Sequence, residues 1–304
     1  MKKTLISVVG PTAIGKTRLA ISLAQHFNTE IISADSRQFF KEMQIGTAVP
    51  SQNELEAAKH NFIRHKSVKD LYSVGDFEKD ALERLEKIYK KKNVAILVGG
   101  SGLYVDSVTK GLDKFPEIEA SIRIELNKNL KENGLKLLQE QLKNLDPAYY
   151  SKVDLNNPHR VIRALEVCIG SGQPYSSFVN HEKPNRPFNV ITIGITADRD
   201  KIYNRIEARV DLMINNGLLD EVKSVCTYKD LNALKTVGYK ELFKYLEGEW
   251  DLDFAISEIK KNTRRFAKRQ LTWFRKNKNT LWVSYDYIFS EIAQQIEDKI
   301  KKYA

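Results

Sequence analysis

The sequence predicts an α/β fold in which a parallel β-sheet is flanked by helices and interrupted by a helical insertion. Three observations carry this. Apolar runs at residues 5–9, 30–33 and 94–98 alternate with stretches of helical periodicity such as 18–26 and 77–91, the alternation that parallel sheets require. A glycine-rich segment, Gly10-Pro11-Thr12-Ala13-Ile14-Gly15-Lys16-Thr17, joins the first run to the first helix, in the strand, loop, helix order of a phosphate-binding loop. From about 115 to 183 the pattern changes to charged amphipathic helices.

The 304 residues exceed a typical single domain. The boundaries expected are a first core segment at 1–112, a helical insertion at 113–189, and completion of the core with C-terminal basic helices at 190–304. Within the insertion, Leu126, Leu130, Leu137, Leu138, Leu142 and Leu145 are the expected core positions. The Pro/Asn-rich stretch 183–189 reads as a connecting loop, and 190–195 as a further strand before helices that continue to the C-terminus. No repeat or low-complexity tract is visible.

Composition narrows the function classes. With 42% hydrophobic and 29% charged residues the chain is ordinary globular protein. Lys2 and Lys3 precede an apolar run too short for a secretion signal, and no stretch approaches the ~20 apolar residues of a membrane helix. Cys168 and Cys226 lack paired spacing, which argues against a disulfide framework or zinc site and for a reducing, cytoplasmic setting. The net charge of +10 points to an anionic partner, polynucleotide or membrane.

Successive N–H groups of residues 10–17 at a helix N-terminus make a positive concavity for phosphate oxygens. Lys16 adds a point charge, and the Thr17 hydroxyl is a candidate Mg²⁺ ligand. Triphosphates and other diphosphate esters fit the same cradle. The strand at 94–98 ends in Gly99-Gly100 rather than in the acidic residue that organises Mg²⁺ in nucleotide hydrolases. Asp35, in Ser33-Ala34-Asp35-Ser36-Arg37-Gln38, falls at the carboxyl end of the second strand, where such sheets assemble ligand crevices. It fits either a turn cap or a general base. Arg205 and Arg209, four apart on one helical face, are each candidates to reach a phosphate or to form surface ion pairs.

Charge clusters at Lys260, Lys261, Arg264, Arg265, Lys268, Arg269, Arg275, Lys276 and Lys278, while Ile259, Phe266 and Trp273 recur at seven-residue spacing. This predicts a helix with an apolar seam to bury and a basic side free to follow an RNA backbone.

Taken in order, G-P-T-A-x-G-K-T at 10–17, S-A-D-S-R-Q at 33–38, I-G-T-A at 45–48 and G-G-S-G-L-Y at 99–104 resemble the tRNA dimethylallyltransferase family. Similarity continues through 146–147, 160–167, 205–222, 237–241 and 268–275. The resemblance implies a P-loop NTPase-like core whose loop holds the diphosphate of dimethylallyl diphosphate, with Mg²⁺, and a tRNA anticodon stem-loop as the other substrate. It implies catalytic roles for Asp35, Thr17 and Arg209. It implies RNA contacts at Asp35, Ser36, Arg37, Gln38, Ser101, Arg123, the segment His159, Arg160, Val161, Ile162 and Arg163, then Gly238, Tyr239, Lys240, Lys268, Arg269, Gln270, Trp273 and Arg275. For Tyr239 and Trp273 a core position outweighs base stacking. A monomer without membrane contact is expected.

Ser101 stands where threonine is commoner in the family, and Lys235-Thr236 departs from its usual pair. Two rival enzymes remain, a P-loop kinase of a small metabolite and an adenylate isopentenyltransferase acting on free nucleotide. The basic helix argues against the kinase, the second needs no large RNA surface and is separated by comparing AMP with an anticodon stem-loop as acceptor, and the intact loop with Asp35 argues against a noncatalytic RNA-binding protein.

Overall fold

The computed structural model describes residues 2–179 and 185–303. Two positions of the expected 183–189 loop, 183 and 184, lie outside the described residues. The chain divides into two units, 1–110 with 186–304, and 111–185. The second boundary falls before 189 because Phe188 is buried in a core of the first unit and Asn189 already opens a strand there.

The first unit begins with β1 (Thr4–Val9), α1 (Lys16–His26), β2 (Ile31–Ser33), α2 (Gln52–Ala57), β3 (His60–Asn61), α3 (Val74–Tyr89), β4 (Val94–Gly99) and α4 (Gly102–Lys110). The second unit holds α5 (Ala120–Leu145), α6 (Pro147–Tyr150) and α7 (Pro158–Ser171). The first unit resumes with β5 (Asn189–Thr196), α8 (Arg199–Asn215), α9 (Leu218–Ser224), α10 (Tyr239–Leu246), α11 (Leu252–Phe274), β6 (Leu281–Ser284) and α12 (Phe289–Tyr303). The six strands pair in parallel in the order β3-β2-β4-β1-β5-β6.

Apolar side chains on alternate strand positions bury both faces of the sheet, as parallel sheets require. Leu5, Val9, Ala95 and Leu97 face one core with α3, α4, α9 and α10. Ile6, Val8, Ile96, Val98, Ile193 and Ile195 face the other with α1, α8 and α12. Helix α11 contributes Ile259 to the first core and Ala267 to the second. The phosphate-loop segment follows β1, Asp35 follows β2 and Gly100 follows β4, so all three gather at the carboxyl edge of adjacent strands.

Sequence periodicity did not signal the edge strands β3 and β6. The first has two residues, and no residue of either is buried. In the second unit Leu126, Leu138, Leu142, Val161, Ile162, Ala164 and Leu165 form the core, with Leu130 packed against it. Leu137 and Leu145, expected inside, are 48% and 40% exposed. Helix α5 is broken at Gly134, whose φ of 76° is not helical, and beyond the break Leu138 and Leu142 face inward as expected while Leu137 and Leu145 do not. Asp146 is buried there and accepts hydrogen bonds from Tyr149 N at 2.9 Å and from Ser176 N at 2.6 Å and Oγ at 2.9 Å. Among the described residues, no helix is long and apolar enough to cross a membrane.

Candidate active site

The loop between β1 and α1 places Gly15 in the left-handed region at φ 98°, where it caps α1, and Ala13 at φ 63°. A non-glycine residue held there costs on the order of 1 kcal/mol. The Ala13 carbonyl accepts a hydrogen bond from Arg205 Nε at 2.7 Å, and Arg205 Nη1 reaches Tyr285 Oη at 2.6 Å with the guanidinium over that ring. A charged hydrogen bond contributes about 1.5–3 kcal/mol, enough to offset the backbone cost. Arg205 is thereby engaged in shaping the loop.

Arg209, one helical turn on, makes no hydrogen bond or ion pair among the described residues and lines the crevice. Burial, then the nearby Arg205 charge, lower its pKa from the ordinary guanidinium value, while Glu54 and Asp35 oppose the shift. Lys16 Nζ donates to Pro11 O at 2.8 Å. Burial lowers its pKa to about 8, Asp35 raising it and Arg209 lowering it further. Two cations and one carboxylate thus line the same crevice.

Gln270 closes the loop from above. Its Oε1 accepts from Thr12 N at 2.8 Å and its Nε2 donates to Gly100 O at 2.9 Å. The fit requires glycine at 100, because a Cβ there would lie 2.4 Å from Gln270 Nε2. Gln270 was placed among the RNA contacts by resemblance, and here its buried amide joins α11 to the phosphate loop and to the end of β4. Its signal in the sequence was a polar residue on the buried stripe of α11, between Ala267 and Phe274.

Around Asp35 most polar side chains are already engaged. Asp35 Oδ1 caps a turn by accepting from Arg37 N at 3.1 Å. Arg37 Nη1 donates to Asn232 O at 2.7 Å and Ala233 O at 2.9 Å, and Gln38 Nε2 to Thr47 O at 3.1 Å and Ala48 O at 2.9 Å. Ser101 Oγ accepts from Ser36 N at 3.2 Å. Asp35 therefore serves as a turn cap and also lines the crevice.

Two cavities meet at that carboxylate. The first, about 570 Å³, is lined by the loop from Thr12 to Thr17, with Ile45, Val49 and Arg209. The second, about 520 Å³, is lined by Ser101, Tyr104, Lys235, Gly238, Lys240, Phe266, Arg269 and Trp273. Thr12, Asp35, Thr47, Ala48, Arg209 and Met213 line both and form the waist between them. The expected seam of α11 is only partly an inward seam. Ile259 is buried, but Phe266 is 38% exposed and Trp273 half-buried, and both line the second cavity. Trp273 Nε1 donates to Asp106 Oδ2 at 3.0 Å, which fixes its ring.

The basic cluster also divides. Lys260 pairs with Asp211 at 2.6 Å, Arg264 with Glu207 at 2.6 Å, and Lys261 with Glu258. Arg265, Lys268, Arg269 and Arg275 are exposed without a carboxylate partner among the described residues. Tyr239 is fully buried, its hydroxyl donating to Glu221 at 2.6 Å, and Val161 and Ile162 are buried in the second unit's core. Burial removes these three side chains from direct RNA contact. In the second unit His159 and Arg160 are exposed, whereas Arg163 binds Glu166 at 2.9 Å and stacks over Phe115, and the exposed Arg123 pairs with the other oxygen of Glu166 at 3.9 Å.

The sequence model of the IPP transferase family matches residues 38–277. The tRNA dimethylallyltransferase of Christiangramia forsetii is 59% identical over 99% of both chains. That of Flavobacterium johnsoniae is 57% identical over 98% of this chain and 99% of its own. Among solved structures, the tRNA isopentenylpyrophosphate transferase of Bacillus halodurans is 36% identical with a TM-score of 0.73, covering 99% of this chain and 96% of that one. A eukaryotic dimethylallyltransferase acting on tRNA is 25% identical with a TM-score of 0.84, covering 99% of this chain and 80% of that one. Similarity that runs almost from end to end in sequence and in structure settles the kinship: the chain belongs to the IPP transferase family.

Proposed function

We propose that this protein transfers the dimethylallyl group of dimethylallyl diphosphate to the exocyclic amine of the adenosine 3′ to the anticodon in tRNA, releasing diphosphate. The carrying observation is the shared waist: Asp35 stands where a cavity lined by the phosphate loop meets one lined by aromatic and basic residues. A diphosphate in the loop and a base entering from the other side meet at that carboxylate. The adenine amine is a weak nucleophile because its lone pair is delocalised. As its nitrogen bonds to the allylic carbon, the carbon–oxygen bond breaks, the diphosphate leaves with the electron pair, and Asp35 accepts the amine proton. Charge growing on the leaving group is met by loop N–H groups, Lys16 and Arg209.

Mg²⁺ fits this site with one protein ligand. Thr17 lines the phosphate cavity, and among the described residues no group of three His, Cys, Asp or Glu stands ready to hold a metal. Diphosphate oxygens and water would complete the shell, and the ion would supply further neutralisation of the leaving group.

An adenine inside a stacked anticodon loop cannot reach an enclosed electrophile, so the nucleotide flips into the second cavity, where Tyr104, Phe266 and Trp273 offer aromatic surface. Arg265, Lys268, Arg269 and Arg275 hold the backbone, and we assign His159, Arg160 and Arg123 of the second unit to the same RNA. The reading extends to a cytoplasmic monomer, with the free thiols of Cys168 and Cys226 in support of a reducing setting.

Incubation with labelled dimethylallyl diphosphate, Mg²⁺ and an anticodon stem-loop tests the assignment. Label is expected on the adenosine beside the anticodon and not on free AMP, and Asp35→Asn should lower kcat about 10²–10⁴-fold with little change in binding of either substrate. Transfer to AMP, or near-normal turnover by Asp35→Asn, would contradict it.

Because Lys16 must be protonated to clamp a diphosphate and its folded pKa is about 8, kcat/KM for the donor should be flat below that pH. It should fall about tenfold per unit above it. Lys16→Arg, which stays charged, should lose this limb in the same profile.

Neutralising Arg265, Lys268 and Arg269 together should reduce the salt slope of tRNA affinity by about 2–3. Arg264→Gln, which removes a cation already paired with Glu207, should change it by much less. Filter binding across a salt series reads both.

A further inference from the structure

The I-G-T-A motif supplies two of the waist residues, Thr47 and Ala48, and neither is a group that the reaction consumes or moves. Ile45 lines the phosphate-side cavity, Gly46 the other, and Thr47 and Ala48 both. The backbone here is held from two sides. On its N–H side, one oxygen of Glu221 in α9 accepts from Gln44 N at 2.8 Å and Ile45 N at 2.7 Å. The other accepts from Gly46 N at 2.9 Å and from Tyr239 Oη at 2.6 Å. On its C=O side, Gln38 donates to Thr47 O and Ala48 O. Ala48 adopts φ 50°, a left-handed conformation that needs such support. The turn also lies hard against α9 and α10, since a Cβ at Gly46 would come within 2.6 Å of the Tyr239 ring and 2.9 Å of Leu218.

We propose that Glu221 is the residue that sets the width of the waist, and thereby restricts the donor to a short allylic chain; this rests on the reading of the site given above. A carboxylate has only acceptors, so it takes all four donors at once. An amide of the same shape must turn its N–H groups either toward Gln44 and Ile45 or toward Gly46, whose backbone N–H groups cannot accept, while the Tyr239 hydroxyl can. Thr47 and Ala48, then tethered from the Gln38 side alone, shift and the waist widens. Glu221 touches no reacting atom in this account, and its effect passes entirely through residues 44–48.

The test is Glu221→Gln in the full-length protein, comparing dimethylallyl diphosphate with geranyl diphosphate as donors to the same anticodon stem-loop. Turnover with the short donor should fall about tenfold or more. The ratio of geranyl to dimethylallyl transfer, in kcat/KM, should rise by about tenfold, with tRNA affinity unchanged. Equal losses for both donors, with the ratio unaltered and only Tm lowered, would reduce Glu221 to fold support and overturn the proposal. Should Glu221→Gln fail to fold, Tyr239→Phe decides. It keeps the ring and removes one donor, so a smaller shift of the ratio in the same direction supports the proposal and an unchanged ratio overturns it. Failure of the unsubstituted protein to prenylate tRNA would instead sink the underlying reading, which separates the two outcomes.

Discussion

One buried amide ties the site together. Gln270 binds Thr12 N and Gly100 O simultaneously, and it does so from α11, the helix whose exposed face carries Arg265, Lys268 and Arg269. The phosphate loop and the end of β4 are therefore joined to the basic helix through this one side chain. An unpaired buried amide costs about 1–3 kcal/mol, so each of its two bonds restrains the others' geometry as well as its own. Gly100 is the complement of that amide: with no Cβ it leaves room for Gln270 Nε2 at its carbonyl.

From this bracket follows the division of labour between charged groups. Arg205 is drawn onto the Ala13 carbonyl and Tyr285, which shapes the loop. Arg209 is left facing the waist with Lys16 and Asp35, where burial strengthens every charge interaction. In the proposed reaction the phosphate loop is a clamp for a leaving group rather than part of a hydrolase. Asp35 lines both cavities, so in that reaction proton acceptance and departure of diphosphate would share one junction.

The sheet and its loop were legible because they depend on local pattern: apolar runs with glycine-rich punctuation and a lysine at fixed spacing. Asp35 could be placed at a strand end from the same pattern, though not at a junction of cavities. The roles of Glu221, Gln270 and Tyr285 were not legible because their partners lie far away in sequence, at Gln44, Thr12 and Arg205. In the second unit the inward leucines were legible except at Leu137 and Leu145, which lie beyond the non-helical φ of Gly134. Likewise the pairing of Lys260 and Arg264 with α8 could not be seen from a helix that looked short of acids on its own.

The most direct measurement of this account is the behaviour of Gln270→Leu, which keeps the bulk of the side chain and removes both hydrogen bonds. Equilibrium binding of the diphosphate donor and of the anticodon stem-loop should be measured separately on the same preparation. A bracket predicts that donor affinity and turnover fall together by about tenfold or more while RNA affinity is nearly preserved. Loss of RNA affinity with unchanged donor binding would contradict it and make Gln270 an RNA contact after all.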